Sequence, residues 1–94
     1  MKNFNWNENK NNLLIKERNI SFPDVVKAIK EGDLLDVIAH YNQEKYSQQC
    51  IFIIKLRDYV YLVPFVESEQ EIFLKTIIPS RKMTKKYLRG NVNE

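Results

Sequence analysis

The chain of 94 residues is 44% hydrophobic and 29% charged with a net charge of +3, which suits one folded domain over residues 1–94. Its longest apolar run, Tyr59 to Val66, is far shorter than the roughly 18 residues of a membrane span, and its polar N-terminus does not resemble a signal peptide. A single cysteine, Cys50, and a single histidine, His40, exclude an intrachain disulfide and a zinc site of His and Cys ligands.

The N-terminal segment predicts a short arm followed by a helix. Phe4 and Trp6 alternate with a polar residue over a stretch too short for more than a brief strand, and we expect them to pack on the core. Asn7 can cap a first helix over about 8–18, and Asn19 can take the left-handed conformation that ends it. This helix therefore has a recognisable signal at each end.

A second helix is predicted directly after a tight corner. Ser21 and Asp24 have the spacing of a capping box, and Pro23 lies early, where its missing amide does no harm. Gly32 can close this helix, because glycine readily takes the positive φ that often follows a helix end. We expect both helices to bury their apolar faces against the rest of the domain.

From Leu34 onward the apolar period becomes that of strands. Four strands are predicted, over residues 34–40, 50–57, 59–66 and 71–78. Arg57-Asp58 can join the second and third strands as a hairpin, and Pro64 indicates an edge or a bulge near the end of the third. Because the connections are short, the expected fold class is α+β, with two N-terminal helices packed on a four-stranded antiparallel sheet.

One face of this sheet is left uncovered by the two helices. It is expected to carry aromatic side chains, some of Tyr59, Tyr61, Phe65 and Phe73. An exposed aromatic face on a small protein usually marks a binding surface. The face is therefore expected to be open, or to be covered by the last helix or by a partner.

The chain ends in its most basic segment. Pro79 stops the fourth strand, and Ser80 can cap a helix that begins at Arg81. Residues 75–94 carry six Lys or Arg and one acid, whereas residues 1–74 carry nine Lys or Arg and eleven acids. The six cations are Lys75, Arg81, Lys82, Lys85, Lys86 and Arg89. The cluster predicts an anionic partner, although a solvated terminal helix that keeps the protein soluble has the same pattern.

Two motifs in this chain resemble those of one protein family. The opening FNWNENK at 4–10, followed by ISF at 20–22, is similar to the N-terminal signature of BrnT-like toxins of bacterial type II toxin–antitoxin modules. The closing IIPSRKMT at 77–84, followed by KKY at 85–87, resembles the basic C-terminal motif of that family. Each motif is short, so the resemblance depends on their order and spacing along nearly the whole chain.

The resemblance implies a RelE-like α+β fold with a short basic C-terminal helix. It also implies a metal-independent endoribonuclease that needs no cofactor and inhibits translation by cleaving RNA, possibly on the ribosome. The implied partner is a cognate ribbon-helix-helix antitoxin, and operator DNA would be contacted only through that antitoxin. Separately from the resemblance, the lone Cys50 and the lack of a signal-peptide or membrane-span pattern predict a location in the reducing cytoplasm without membrane contact. By motif match, Arg81 and Lys82 are the cations of the site, and Trp6 and Lys10 are the N-terminal signature residues.

The chain departs from the family pattern at several positions. Asn7 stands where the family has an acid, and Glu17-Arg18-Asn19 replaces a Lys-His-Gly sequence. Gln48 and Cys50 stand where the family tends to place an acid and an arginine. Cys50 lies within a predicted strand, where a free cysteine is usually a small buried apolar residue. These losses keep a second function open, that of a RelE-fold binding protein that acts without catalysis through its antitoxin or another target.

Cleavage of RNA without a metal requires a base for the 2′-OH proton, cations for the crowded phosphorane and an acid for the 5′-oxygen. Arg81 and Lys82 can supply the cations, since guanidinium and ammonium groups both bind phosphate. The acid–base candidates are His40, Glu44 and Tyr46 around the central loop, with Glu67 as a further carboxylate. His40 could equally have a structural role.

A wider set of residues is expected to hold the RNA backbone by less specific contacts. This set consists of Lys10, Lys75, Lys85, Lys86, Tyr87 and Arg89. Tyr87 could stack on a base or donate a proton, and it could instead pack beside Met83. No recognition-helix or RNP-type pattern supports a simple nucleic-acid-binding domain.

Overall fold

The structure contains two N-terminal helices, a sheet and a basic C-terminal helix, which confirms the α+β class. This computed structural model describes residues 2–40, 42–45 and 48–89. In chain order the elements are β1 (Asn3–Asn5), α1 (Glu8–Arg18), α2 (Phe22–Lys30), β2 (Leu34–Ala39), β3 (Gln49–Leu56), β4 (Tyr59–Glu67), β5 (Glu71–Leu74), β6 (Ile78–Pro79) and α3 (Arg81–Thr84). A π-helical turn, Lys85–Arg89, continues α3, and residues 81–89 together are called the C-terminal helix below.

Local capping interactions set the ends of both N-terminal helices as predicted. The Asn7 side chain accepts a hydrogen bond from the Lys10 amide, and Asn19 ends α1 with a φ of 56°. The Ser21 hydroxyl accepts from the Asp24 amide, while the Asp24 carboxylate accepts from the Ser21 amide. Short-range hydrogen bonds therefore fix the connection between α1 and α2.

The sheet has six strands and is mixed, so the expectation of four antiparallel strands was wrong in detail. Its order is β1-β5-β4-β3-β2, and β6 also pairs with β4. β1 runs parallel to β5, whereas the other pairs are antiparallel. With three and two residues, β1 and β6 are too short to show a strand period, and tertiary contacts set their pairing.

The β3–β4 hairpin is the part of the sheet that the sequence predicted best. Arg57 and Asp58 connect the two strands as a two-residue loop, and both have positive φ, 55° and 62°. Two consecutive positive φ values define a type I′ turn, whose twist matches that of the flanking strands. The register from Gln49↔Val66 to Leu56↔Tyr59 runs through the whole hairpin.

The continuous strand predicted over 71–78 is interrupted between β5 and β6. The carbonyl of Pro64 in β4 accepts from the Lys75 amide at 2.8 Å, and Pro64 has no N–H to continue the ladder on that side. The chain leaves the sheet at this point. As a result Ile77 is buried in the core, whereas Ile78 is 38% exposed. The edge or bulge that Pro64 predicted is not seen, since β4 lies between β5 and β3 and its register with β3 continues through Pro64.

The face of the sheet covered by α1 and α2 is called the inner face. Its core combines residues of both helices with residues of β3, β4 and β5, namely Leu14, Phe22, Val25, Phe52, Ile54, Val63, Phe65 and Leu74. Phe65 is buried in this core and Tyr61 packs against it. Both had been considered for the uncovered face, but they share the strand phase of Val63 and therefore point toward the helices.

The opposite, outer face of the sheet lies under the C-terminal helix. Ile51, Ile53 and Val60 alternate with the inner-face residues of their strands and are at most 1% exposed. The C-terminal helix contacts β4 and reaches Asp36 on β2, so it crosses this face. Of the alternatives considered for the uncovered face, the last helix thus covers at least this part.

Candidate nucleic-acid interface

Hydrogen bonds at its first turn attach the C-terminal helix to the start of β4. The Ser80 amide donates to the Val60 carbonyl at 3.0 Å, and the Ser80 hydroxyl accepts from the Met83 amide at 3.1 Å. Thr84 is 0% exposed, and its Oγ1 accepts from the Val60 amide at 2.9 Å while donating to the Ser80 carbonyl at 2.7 Å. These bonds hold the basic segment in one position on the sheet.

Five exposed cations project from this anchored helix. They are Arg81, Lys82, Lys85, Lys86 and Arg89. Within the described residues, none of the five has its charged nitrogen within 4.0 Å of a carboxylate oxygen; the ion pairs lie elsewhere, Lys2 with Glu67 and Arg57 with Asp24. No ion pair among the described residues therefore involves the cations of this surface.

The arrangement of these cations does not stabilise the helix itself. Arg81 and Lys82 lie in its first turn, where the helix dipole disfavours positive charge. Like charges four residues apart, such as Lys82 and Lys86, repel each other by a few tenths of a kcal/mol. An anion bound at this surface would relieve both effects, so the charges suit a ligand better than they suit helix stability.

Some side chains of the closing motif pack or hydrogen-bond within the fold, whereas others make no such contact. Ile77 is 0% exposed, Ser80 caps the helix and Thr84 bonds to β4, so each of these has a role in the fold. The side chains of Arg81 and Lys82 make no hydrogen bond or ion pair within residues 2–40, 42–45 and 48–89. The opening motif is structural in the same sense, since Trp6 stacks on buried Phe22 with ring centroids 5.8 Å apart.

Tyr87 connects the C-terminal helix to the edge strand β2. Its hydroxyl lies 3.4 Å from Oδ2 of Asp36, and Nζ of Lys86 lies 5.5 Å from its ring centroid. Burial of the phenol raises the pKa of Tyr87 above its usual 10.0, and the negative charge of Asp36 with its hydrogen bond raises it further. The Tyr87 phenol therefore keeps its proton near neutral pH.

Asp36 is the polar residue of this surface that the sequence analysis missed. It is exposed, and its Oδ1 accepts a hydrogen bond from the Val37 amide at 2.7 Å. Its register with Ile53 places it on the outer face, beside the C-terminal helix. The sequence did contain a signal for this residue, because Asp36 is the one charged residue in the otherwise apolar strand β2.

The other predicted RNA contacts divide between the two faces. Lys75 is exposed, and its Nζ lies 5.4 Å from the ring centroid of Phe73, which belongs to the outer face. Lys10 is in the first turn of α1, the helix that covers the inner face. The structure thus places Lys75 on the same side as the C-terminal helix and Lys10 on the other side.

The predicted acid–base residues lie at the opposite end of the sheet from Arg81. His40 is 7% exposed and its amide donates to the carbonyl of Gln49, which pairs with Val66, while its Nδ1 accepts from the Asn42 amide. The C-terminal helix starts beside Val60, six strand residues from Val66, or about 20 Å at the usual rise of a strand. Glu44 is exposed in the turn that follows His40. Tyr46 lies outside the described residues.

Two grooves among the described residues lie away from the basic surface. One groove lies between α2 and the β3–β4 turn and is lined by residues that include Asp24, Lys27, Glu31 and Lys55. The other lies near the N-terminus and is lined by Lys2, Asn3, Glu69 and Gln70. The five C-terminal cations line neither of these grooves and are exposed, and exposed cations can contact an extended polyanion.

The described residues contain no cluster of three or more His, Cys, Asp or Glu that could hold a metal ion. In the same part of the chain, no helix combines the length and apolar character needed to cross a membrane.

Comparisons with protein-family models, with curated proteins and with solved structures found no match to this chain.

Proposed function

We propose that this protein is the toxin of a type II toxin–antitoxin module that binds RNA through its C-terminal helix and cleaves it without a metal. A single observation carries the proposal: five cations stand on a rigidly anchored helix without a carboxylate partner among the described residues. RNA carries a phosphate at every nucleotide, and exposed cations on one surface can bind several of these phosphates. The BrnT-like motifs described above support the choice of a toxin.

The proposed chemistry divides between two parts of the outer face. Arg81 and Lys82 would stabilise the phosphorane, while Lys75, Lys85, Lys86 and Arg89 would hold the neighbouring phosphates. Proton transfer would be carried out by side chains of the chain itself. A cytoplasmic location and translation inhibition belong to the same proposal.

The proposed partner is a ribbon-helix-helix antitoxin that covers the basic surface. A net charge of +5 over residues 75–94 favours an acidic covering segment, because complementary charge speeds and orients association. Operator DNA would be contacted by the antitoxin. A RelE-like fold is proposed on the motif resemblance alone.

Incubation of the purified chain with RNA in excess EDTA tests the nuclease directly. We expect cleavage that survives chelation and is reduced by about 100-fold or more in Arg81→Glu. Glutamate is favourable in the first turn of a helix, so this variant should fold normally. Lys27→Glu, an equal charge change on α2, is the matched control and should keep its activity. Intact RNA after incubation with the unaltered chain would contradict the nuclease.

A non-catalytic binding protein is the second candidate. It is favoured by the position of His40 and Glu44, which the structure does not bring to the C-terminal cations. In that case the chain would bind RNA or an acidic partner tightly and leave RNA intact. Arg81→Glu would then weaken binding, and no cleavage product would appear with either protein.

A further inference from the structure

We infer that Asp36 is the general base of the proposed RNA cleavage and that Tyr87 is its proton-donating partner. This inference rests on the proposed function. It replaces His40 and Glu44, at the far end of the sheet, with two residues that meet at the C-terminal helix. The pair joins β2 to the basic surface through the contact between Tyr87 Oη and Asp36 Oδ2, 3.4 Å apart.

Hydrogen bonding fixes the orientation of the Asp36 carboxylate. Its Oδ1 accepts from the Val37 amide at 2.7 Å, which leaves Oδ2 directed toward the C-terminal helix. The side chain is exposed, so a ligand lying on the helix can reach it. A base held in place before the substrate arrives loses less entropy in the reaction.

The charge of Asp36 is unfavourable if this surface only binds RNA. A carboxylate beside Lys86 and Tyr87 repels a phosphate backbone that lies on the helix. A role in proton transfer explains its position, because the carboxylate can take a proton that no cation of this surface can accept. Binding and catalysis therefore predict effects of opposite sign when the charge of Asp36 is removed.

The proposed step balances in protons and bonds. The Asp36 carboxylate takes the proton of the 2′-OH as the 2′-oxygen forms a bond to phosphorus. The bond from phosphorus to the 5′-oxygen breaks, and the Tyr87 hydroxyl donates its proton to that oxygen. The proton on Asp36 then passes to the Tyr87 oxygen along their hydrogen bond. The products are a 2′,3′-cyclic phosphate and a free 5′-hydroxyl, and both side chains return to their starting states.

Asp36→Asn is the deciding variant, because asparagine keeps the shape and can still accept from the Val37 amide. We expect its cleavage rate in EDTA to fall by about 100-fold or more, with 2′,3′-cyclic ends formed by the unaltered chain. Its affinity for fully 2′-O-methylated RNA, which cannot be cleaved, should stay equal or increase. Tyr87→Phe should also lose cleavage. Glu31→Gln, an exposed carboxylate at the end of α2, is the matched control and should behave as the unaltered chain.

The outcomes separate this inference from the proposed function. If Asp36→Asn cleaves RNA as fast as the unaltered chain, the nuclease stands and the role of Asp36 is overturned. If Asp36→Asn loses cleavage and affinity together, Asp36 supports binding only and the inference is again overturned. If the unaltered chain binds RNA but never cleaves it, the nuclease and the role of Asp36 fail together, while RNA binding is retained.

Discussion

The Thr84 side chain helps to hold the basic surface in position. It is fully buried, and its hydroxyl both accepts from the Val60 amide and donates to the Ser80 carbonyl. The sequence motif around it predicted a helix but not this bond, because nothing local indicates which strand a threonine will meet. The anchoring of Arg81 and Lys82 is thus a tertiary property, although the cations themselves were evident from the sequence.

Replacement of Thr84 by valine should destabilise the protein by about 1–3 kcal/mol, because the buried Val60 amide would lose its acceptor while the shape stays similar. The free energy of unfolding in urea measures this loss. Thr76→Val is the matched control: Thr76 is half-buried, and its side chain makes no hydrogen bond to the rest of the described chain. Equal stability of the two variants would show that the Thr84 bonds do not hold the helix.

Tyr87 should make stability depend on pH in the alkaline range. Its pKa is raised in the folded protein by burial and by Asp36, so it contributes stability below the unfolded pKa of 10.0 that is lost as pH rises through the folded value. We expect the difference in unfolding free energy between the unaltered chain and Tyr87→Phe to be constant near neutral pH and to shrink above about pH 10. A difference that does not vary with pH would mean that Tyr87 is fully solvated.

At the scale of elements, β2 is an open edge of the sheet that Asp36 protects. β2 is the last strand on its side, and Val37 is 46% exposed. The Val37 amide donates to the Asp36 carboxylate rather than to another strand. Open apolar edges readily pair with a second copy, and a charged side chain on the edge discourages this.

Asp36→Ala should therefore allow self-association through β2. We expect its apparent mass in analytical ultracentrifugation to rise with concentration more steeply than that of the unaltered chain. The edge loses both the acceptor of the Val37 amide and a negative charge. Asp36→Asn, which retains an acceptor for the Val37 amide, should show a smaller change. The addition of Val37→Lys to Asp36→Ala should reverse the effect, and unchanged association of all three would contradict the role of this edge.

The sequence predicted those elements whose signals are local. Asn7, Asn19 and the Ser21–Asp24 capping box set the helix ends by contacts within a few residues, and the β3–β4 hairpin follows from its strand periods. The break between β5 and β6 was missed because Ile77 and Ile78 are both apolar, and only the packed core decides which of them is buried. The pairing of β1 with β5 and of β6 with β4 was also missed, because only tertiary contacts decide where such short segments bind.

At the scale of the whole molecule, charge is divided between the C-terminal segment and the rest of the chain. The sequence predicted this division, and it also indicated Arg81 and Lys82 as the main cations of the candidate site. The proposed acid–base pair could not be predicted from the sequence. Tyr87 and Asp36 are 51 residues apart in the chain and meet only in the folded structure. His40 lies at the other end of the sheet. Among the described residues the C-terminal helix therefore displays a strongly basic surface, and we propose that this surface binds RNA.

The salt dependence of RNA binding tests that claim most directly. The affinity for 2′-O-methylated single-stranded RNA would be measured over a range of salt concentrations for a variant with Gln at Arg81, Lys82 and Lys86. A control with Gln at Lys16, Lys27 and Lys30 has the same charge change on α1 and α2. Each lost phosphate contact lowers the logarithmic slope by about 0.7, so the first variant should lose about 2 and the control close to none. Equal slopes for the two variants would contradict binding at the C-terminal helix.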